Sequence, residues 1–203
     1  MFPHGGLVAM TMPLGQGGGG AILVGRDGIF GAFAAAAVVP AMCDAQVYIP
    51  GRAASITASA FRYVLDQSPT IRRLLGRYTA ALMMQAHQIA LCNAAHPVEA
   101  RVARSLLEVL DRCDGVDVPL AQNTLAQMLG VQRTTINLAA GRLEDAGIIK
   151  CGRGHMQIVE RKQLERYACE CYINIRGYLS HLFGLPVAAG LSPTPAQALD
   201  RKA

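Results

Sequence analysis

The clearest pattern in the chain is an apolar stripe that runs over residues 71–92. Its members are separated by 4, 3, 4, 3, 4 and 3 residues, the spacing of a coiled-coil seam, which predicts a long helix with one face against a partner. Two interpretations stay open: a seam between two parallel copies of the chain with one polar layer at Gln85, or a single amphipathic helix that lies on its own domain. The stripe consists of Ile71, Leu75, Tyr78, Leu82, Gln85, Ile89 and Cys92.

Upstream of this helix, short apolar runs separated by Gly, Pro and Asp predict small β-strands over residues 21–24, 46–49 and 53–56. A short helix is expected over 60–67, capped by Thr57 or Ser59 and ended by Pro69. Residues 1–20 are rich in Gly, Met and Pro. We therefore expect a flexible lead-in there.

Downstream of the long helix, the pattern changes to short elements. Pro97 fits the first position of a helix that buries Val and Leu residues up to residue 110. Two more helices are predicted over 120–129 and 132–146, joined at Gly130 and closed by Gly147. Apolar runs at 148–151 and 156–159 then flank a basic, glycine-rich tip, as in a β-hairpin. This order of elements predicts a winged helix.

A winged helix places the first side chains of its second helix in the major groove of DNA. The guanidinium fork of Arg133 matches the edge of guanine, and Thr134 and Asn137 lie on the same exposed side, so we expect these three residues to contact bases. Charge supports this locally, because residues 131–162 hold six basic and three acidic residues, a net +3 within a chain of net charge +5. The residues expected to contact phosphates, which position a protein without reading sequence, are Gln122, Asn123, Thr135, Arg142, Arg153 and His155.

Residues 98–176 resemble the C-terminal winged helix of bacterial Crp/Fnr-type transcription regulators, the relatives of the cyclic-AMP receptor protein. The resemblance rests on Leu-Ala-Gln-Met-Leu-Gly-Val at 125–131, on Arg133, and on Leu-Glu-Asp-Ala-Gly-Ile-Ile at 143–149. Residues 25–31 and 61–68 resemble the end of the family's cyclic-nucleotide-binding-like β-roll, and 69–96 its dimerisation helix. The resemblance implies an α+β chain with a shortened β-roll (21–67), a dimerisation helix (68–96) and a winged helix DNA-binding domain (97–183). Composition adds the flexible N-terminus (1–20) and a disordered tail (184–203), in which Pro186, Pro193 and Pro195 lie.

Departures from the family pattern also bear on function. The family's cyclic-nucleotide pocket resembles Phe-Gly-Glu followed by Arg-Ser or Arg-Thr, whereas here Ala32 follows Phe30-Gly31 and residues 42–45 contain no Arg. We therefore expect no response to cyclic nucleotides. The roll is short of its first strands, which we interpret as a truncated N-terminus or a misassigned start. Ala121 and Gln132 stand at helix N-caps where the family usually has Thr and Ser, and each loses about 0.5–2 kcal/mol of capping.

The cysteines and the composition add little chemistry. Six cysteines without a Cys-x-x-Cys pair indicate a reducing, cytoplasmic compartment, and the longest apolar stretch, 29–43, is too short to cross a membrane. Cys169 and Cys171 are expected on one helix over 162–182, where residues two apart point to different sides, so that one metal ion does not bind both. We find no spacing typical of a catalytic or metal site.

The sequence therefore predicts a homodimeric, sequence-specific transcription regulator that binds two-fold-symmetric double-stranded DNA in the cytoplasm. It is expected not to be an enzyme, to need no cofactor and no membrane, and to respond to an effector of unknown identity, if to any. Two alternatives stay open. One is a protein-interaction module with a vestigial winged helix, and the other is a thiol-based redox protein that uses Cys169 and Cys171.

Overall fold

The computed structural model describes residues 1–12, 19–113 and 116–183. Two small antiparallel sheets form its N-terminal part, in which β2 is the centre of a sheet of order β3-β2-β4, and β1 pairs with β5. The elements of this part are β1 (Phe2–Pro3), β2 (Leu7–Met12), β3 (Gly19–Val24), α1 (Ala32–Ala37), β4 (Asp44–Ile49) and β5 (Ala53–Ala54).

The expected flexible lead-in is wrong for Phe2–Pro3 and Leu7–Met12, which form β1 and β2. Leu7 and Ala9 alternate inward along β2 and are 1% and 0% exposed, so the apolar surface that they bury holds the strand in place. The Gly-rich and Pro-rich composition around this short alternating run concealed it. Residues 13–18, which the same prediction covered, lie outside the described residues.

Two consecutive helices follow, α2 (Ala58–Gln67) and α3 (Pro69–Ala95). The hydroxyl of Thr57 caps α2 by accepting a hydrogen bond from the backbone N–H of Ala60 at 3.2 Å, which confirms the predicted cap. Ser68 caps α3 in the same way, and Pro69 occupies the first position of α3, where a missing N–H costs nothing.

The C-terminal part consists of three helices, a small sheet and two further helices. Its elements are α4 (Val98–Leu110), β6 (Asp117–Val118), α5 (Gln122–Leu129), α6 (Arg133–Asp145), β7 (Ile149–Gly152), β8 (His155–Ile158), α7 (Arg161–Tyr167) and α8 (Cys171–Phe183). The strands are antiparallel in the order β6-β8-β7, and α8 packs along α3. The predicted tail, residues 184–203, lies outside the described residues.

The two parts share one apolar core. Leu7, Ala9 and Leu23 of the N-terminal sheet belong to the same buried cluster as α4, the pair α5–α6 and the β7–β8 hairpin. At the end of α4, Arg112 also pairs with Asp27 at 3.0 Å. The β3-β2-β4 sheet therefore packs directly against the C-terminal part.

The predicted stripe on α3 faces its own chain. Four of its seven members are buried within the chain, namely Tyr78, Leu82, Gln85 and Cys92. The hydroxyl of Tyr78 donates to the carbonyl oxygen of Ile29 at 3.1 Å, and the Sγ of Cys92 lies 3.5 Å from that of Cys169. The assignment of these four residues to a dimer seam is therefore wrong, because a 4-3 spacing shows which face is covered and not which chain covers it. Ile71, Leu75 and Ile89 stay a prediction.

The single helix expected over 162–182 is broken into α7 and α8. Ala168 has an extended backbone (φ −69°, ψ 147°), and the carbonyls of Cys169 and Glu170 accept the first hydrogen bonds of α8, from the backbone N–H groups of Tyr172 and Asn174. Cys169 thus precedes the helix on which Cys171 lies. The two thiols therefore do not point to different sides, as two positions within one helix would, and that prediction is wrong: their Sγ atoms lie within 4.8 Å of each other.

Candidate DNA-binding interface

The turn between α5 and α6 forms as the sequence predicts. Helix α5 buries Leu125, Ala126 and Leu129 and ends at Gly130, whose φ of +64° lies in the left-handed region. Glycine adopts this conformation without the steric cost that a Cβ atom adds. The N–H of Gly130 donates back to the last turn of α5, so the chain reverses at once and α6 packs against α5.

Helix α6 presents one face to the core and the other to solvent. Ile136, Ala139, Ala140 and Leu143 are buried, which holds the helix by the side that DNA would not touch. On the opposite side, Arg133, Thr134 and Asn137 are exposed. All three residues expected to contact bases therefore lie on the accessible face, at the N-terminal end of the helix.

The N-termini of α5 and α6 carry no side-chain cap. Ala121 and Gln132 are the N-cap residues, as expected, and neither side chain accepts a hydrogen bond from its helix. The first turn of each helix also holds no acidic residue. The N–H of Thr135 donates to the carbonyl oxygen of Gln132 at 3.0 Å, which leaves the N–H groups of Arg133 and Thr134 and the positive end of the helix dipole to an anion such as a DNA phosphate.

The β7–β8 hairpin is the predicted wing. Arg153 is exposed at its tip, where Gly154 takes a φ of +80°, and His155 is exposed at the start of β8. A hydrogen bond of 2.8 Å from the backbone N–H of Cys151 to Oε1 of Glu144 ties β7 to the end of α6. The wing and the solvent-facing helix are therefore held in one fixed arrangement.

The remaining residues expected to contact phosphate differ in their exposure and in the partners that they already have. Asn123 is exposed near the start of α5, and Gln122 and Thr135 are half-buried. The side chain of Gln122 hydrogen-bonds to the Cys151 thiol, whose pKa is raised by burial and by the nearby Glu144. Arg142 is exposed but forms an ion pair with Glu99 of α4, a contact that the sequence did not predict.

Two residues near this surface were missed in the sequence. Leu138 is 68% exposed beside Asn137, and Glu144 anchors the wing. The signal for Leu138 was present, because this residue falls outside the buried i, i+3, i+4 pattern of α6, which places it on the exposed side of the helix. These features define a winged helix domain with a surface suited to DNA.

Comparison with known proteins shows which class of winged helix protein this chain is similar to. Residues 100–167 match the family of the Crp-like helix-turn-helix domain. The fold is similar to that of a transcriptional regulator of the CRP/FNR family from Thermus thermophilus, at 20% sequence identity and a TM-score of 0.62, with 81% of this chain and 84% of that chain covered. It is also similar to FixK2 from Bradyrhizobium japonicum, at 16% identity and a TM-score of 0.58, with 83% and 86% covered.

A third similar structure is a variant of CooA from Carboxydothermus hydrogenoformans, at 13% identity and a TM-score of 0.58, with 81% of this chain and 76% of that chain covered. The chain thus carries a Crp-like helix-turn-helix domain on the Crp/Fnr fold. The resemblance and the mixed α and β fold predicted from the sequence are confirmed.

No curated protein sequence matches the chain, and no helix among the described residues is both long and apolar enough to span a membrane.

Proposed function

We propose that the protein is a homodimeric transcription regulator that binds a two-fold-symmetric operator with its winged helix. The observation that carries this proposal is the solvent-facing side of α6. Its Arg133, Thr134 and Asn137 are exposed at the N-terminal end, while the opposite side is fixed in the core. A helix held in this way can enter the major groove without rearrangement of the fold.

The side chains on this face match base edges. The fork of Arg133 fits the O6 and N7 atoms of guanine, and the amide of Asn137 fits adenine, each pair being worth about 1–3 kcal/mol of discrimination. Leu138 extends the face by one apolar position, which suits the methyl group of thymine. Gly141 lies one turn further along α6, where a Cβ atom would meet nothing within 4 Å, so DNA can approach the helix closely.

Contacts to phosphate come from the edges of this face. Arg153 and His155 on the wing and Asn123 on α5 are exposed, and the uncapped start of α6 offers backbone N–H groups. Arg142 reaches a phosphate by exchanging its exposed pair with Glu99. This exchange costs little, because exposed ion pairs contribute only about 0–1 kcal/mol.

We assign dimerisation to the face of α3 that lies away from the core. Gly76, Ala80, Met83, His87, Ala90 and Ala94 repeat with the spacing of 4, 3, 4, 3 and 4 residues that a helix seam needs. Met83 is 58% exposed and the neighbouring Leu91 64%. The small residues of this stripe let two helices approach closely, so a second copy of the chain would cover apolar surface that is exposed in one chain.

Cyclic nucleotides are not part of this proposal. Ala32, which stands where the family pattern has a Glu for the ribose hydroxyl, is buried with Phe61 and Leu65 in a small apolar cluster. A ribose hydroxyl placed there would lose its hydrogen bonds to water and gain no acceptor. We expect cyclic AMP to leave the DNA affinity unchanged.

The test is selection of binding sites from a randomised duplex pool by the purified full chain at near-physiological salt. We expect enrichment of a two-fold-symmetric site whose half-sites lie about one helical turn apart. Arg133→Ala is expected to weaken binding by about 5–150-fold for each half-site, and to lose preference at one base of each half-site.

Arg166→Ala is the matched control, because it removes the same charge from an exposed position on α7. It is expected to retain both the affinity and the base preference. If no site is enriched by a folded chain, or if Arg133→Ala behaves like Arg166→Ala, the proposal is wrong and the alternative of a protein-interaction module gains support.

A further inference from the structure

Four potential metal ligands meet at the junction of α3 with the break between α7 and α8. The ligand atoms of Cys92, His96, Cys169 and Cys171 all lie within 4.8 Å of one another. The three cysteines are 0%, 7% and 0% exposed in chain order, and the His96 side chain is 21% exposed. No spacing in the sequence indicated this cluster, because Cys92 and Cys169 are 77 positions apart.

Local structure explains why these side chains converge. Cys92 lies in the last turn of α3 and His96 is its C-cap residue, so the two are four residues apart on one helix face. Cys169 and Cys171 flank Glu170 at the point where α8 begins. Because α8 packs along α3, the break brings both thiols to the end of that helix.

The distances fit one tetrahedral ion. The Sγ atoms of Cys92 and Cys169 are 3.5 Å apart, and the Sγ of Cys171 is 3.5 Å from Nδ1 of His96. Zinc bonds of about 2.3 Å to sulfur and 2.0–2.1 Å to nitrogen place tetrahedral ligand atoms about 3.6–3.8 Å apart. A four-iron cluster binds each thiolate at a different corner and would hold these atoms further apart than they are.

Neighbouring groups orient two of the ligands. Nε2 of His96 lies 3.1 Å from Oε1 of Glu170, so the carboxylate holds the ring proton on Nε2 and leaves the Nδ1 lone pair facing the thiols. This carboxylate–histidine arrangement is typical of zinc ligands. The side-chain amide of Gln88 donates to the Sγ of Cys171 at 3.1 Å, a contact that stabilises a thiolate.

The buried charges around the cluster also balance with a bound ion. Arg101 and Arg104 are 7% and 3% exposed, and both interact electrostatically with Cys92 and Cys169. Glu108 pairs with Arg104 at 2.7 Å, which leaves one buried positive charge. Three thiolates, a neutral imidazole and a divalent cation carry a net charge of −1, so the ion-bound cluster neutralises this excess.

We propose that Cys92, His96, Cys169 and Cys171 form a structural Zn²⁺ site that clamps the end of the long helix α3 to the far end of the DNA-binding domain. With four protein ligands the site is closed, as in zinc sites that stabilise a fold and do not catalyse. His96 precedes α4 and Cys169 follows α7, so the ion joins the two ends of the segment that holds the helix-turn-helix and the wing. This inference does not depend on the proposed function.

The test measures metal in the full chain, purified without a chelator and without a histidine tag. We expect about one zinc ion per chain by mass spectrometry, and release of that zinc when the thiols are titrated with a mercurial. Cys169→Ser is expected to lose at least nine-tenths of the zinc. Cys43→Ser is the matched control, because Cys43 is a half-exposed cysteine outside the cluster, and it should keep the full amount.

A second measurement keeps the proposal testable if Cys169→Ser does not fold. The unmodified chain is loaded with Co²⁺ in place of zinc, and its absorption spectrum is expected to show thiolate-to-cobalt charge transfer with the strong visible bands of tetrahedral cobalt. A folded chain that holds no zinc after supplementation and gives only the weak spectrum of octahedral cobalt would overturn the proposal. A disulfide between Cys92 and Cys169 in the freshly purified chain would overturn it too, in favour of thiol redox chemistry.

These assays contain no DNA, so the two proposals fail separately. A chain that binds zinc but selects no DNA site contradicts the proposed function alone. A chain that selects an operator but holds no zinc contradicts the metal site alone.

Discussion

The missing cap of α6 allows a sharp test of the local physics of the DNA-binding helix. Gln132, its N-cap residue, has φ −69° and ψ 147° and accepts no hydrogen bond with its side chain. Thr57, the N-cap of α2, has almost the same backbone (φ −69°, ψ 151°), and its hydroxyl accepts from the third N–H of the helix. The N–H of Thr135 now donates only to the carbonyl oxygen of Gln132, at 3.0 Å. A serine hydroxyl at position 132 would give this N–H a side-chain acceptor like the one that Thr57 provides.

The expected gain in stability of Gln132→Ser follows from the usual strength of a helix N-cap. A good N-cap is worth about 0.5–2 kcal/mol, typically about 1. For a chain of 203 residues, 1 kcal/mol corresponds to a rise of roughly 2–4 °C in the melting temperature. Ala121→Ser at the start of α5, where the backbone is also extended (φ −71°, ψ 150°), is expected to add a similar gain.

Thermal unfolding followed by circular dichroism measures the change in Gln132→Ser. Thr57→Ala is the control of opposite sign, because it removes a cap that exists and should lower the melting temperature by a similar amount. The reasoning is refuted if Gln132→Ser melts at or below the temperature of the parent chain while Thr57→Ala melts lower.

Two further predictions concern the long helix and the core. Met83→Glu places a charge in the exposed stripe of α3 and is expected to convert the dimer to a monomer in sedimentation velocity, whereas Gln67→Glu on α2 should not; a monomeric parent chain would contradict the assigned face. Burial raises the pKa of Tyr172 to about 12, compared with about 10 in the unfolded chain. The contribution of its neutral hydroxyl to the free energy of unfolding is therefore complete below pH 10 and is lost as the pH rises to 12. Its hydroxyl donates to Asp111 at 2.9 Å, so Tyr172→Phe should lower the free energy of unfolding by about 1–3 kcal/mol at pH 8, measured by urea unfolding. The difference in free energy of unfolding between Tyr172→Phe and the parent chain should narrow between pH 10 and 12, and a constant difference would contradict this.

The helix-turn-helix was predictable because its signals are local. Gly130 and Gly147 both take positive φ values at the ends of their helices, and the apolar spacing of α6 marks the side that the core covers. The exposed positions of Arg133, Thr134 and Asn137 follow from that spacing alone. Short-range sterics and helical periodicity decide such features, and both can be read directly from the order of the residues.

The neighbourhood of α3 shows the opposite case. Its 4-3 spacing predicted a covered face, but a periodic pattern contains no information on which surface covers it. The break at Ala168 lets α8 pack along α3, and the N-terminal part covers Tyr78, so the partner of this face is the chain itself. The strand at residues 7–12 was missed for a similar reason, because its stability comes from the core that it joins and not from its own composition.

Local patterns along the chain were thus enough to predict the helices from α2 to α6 in order, the turn at Gly130, the wing and the side chains on the exposed face of α6. Helix packing, by contrast, is what brings Cys92 and His96 to Cys169 and Cys171, so that the four ligand atoms lie within 4.8 Å of one another. Cys92 and Cys169 are 77 positions apart in the chain, so the cluster joins residues from opposite ends of the DNA-binding domain. Contacts between such distant residues depend on the direction in which each helix ends and on how the helices pack. Neither quantity is encoded in any local pattern, which is why the candidate metal site became visible only in three dimensions.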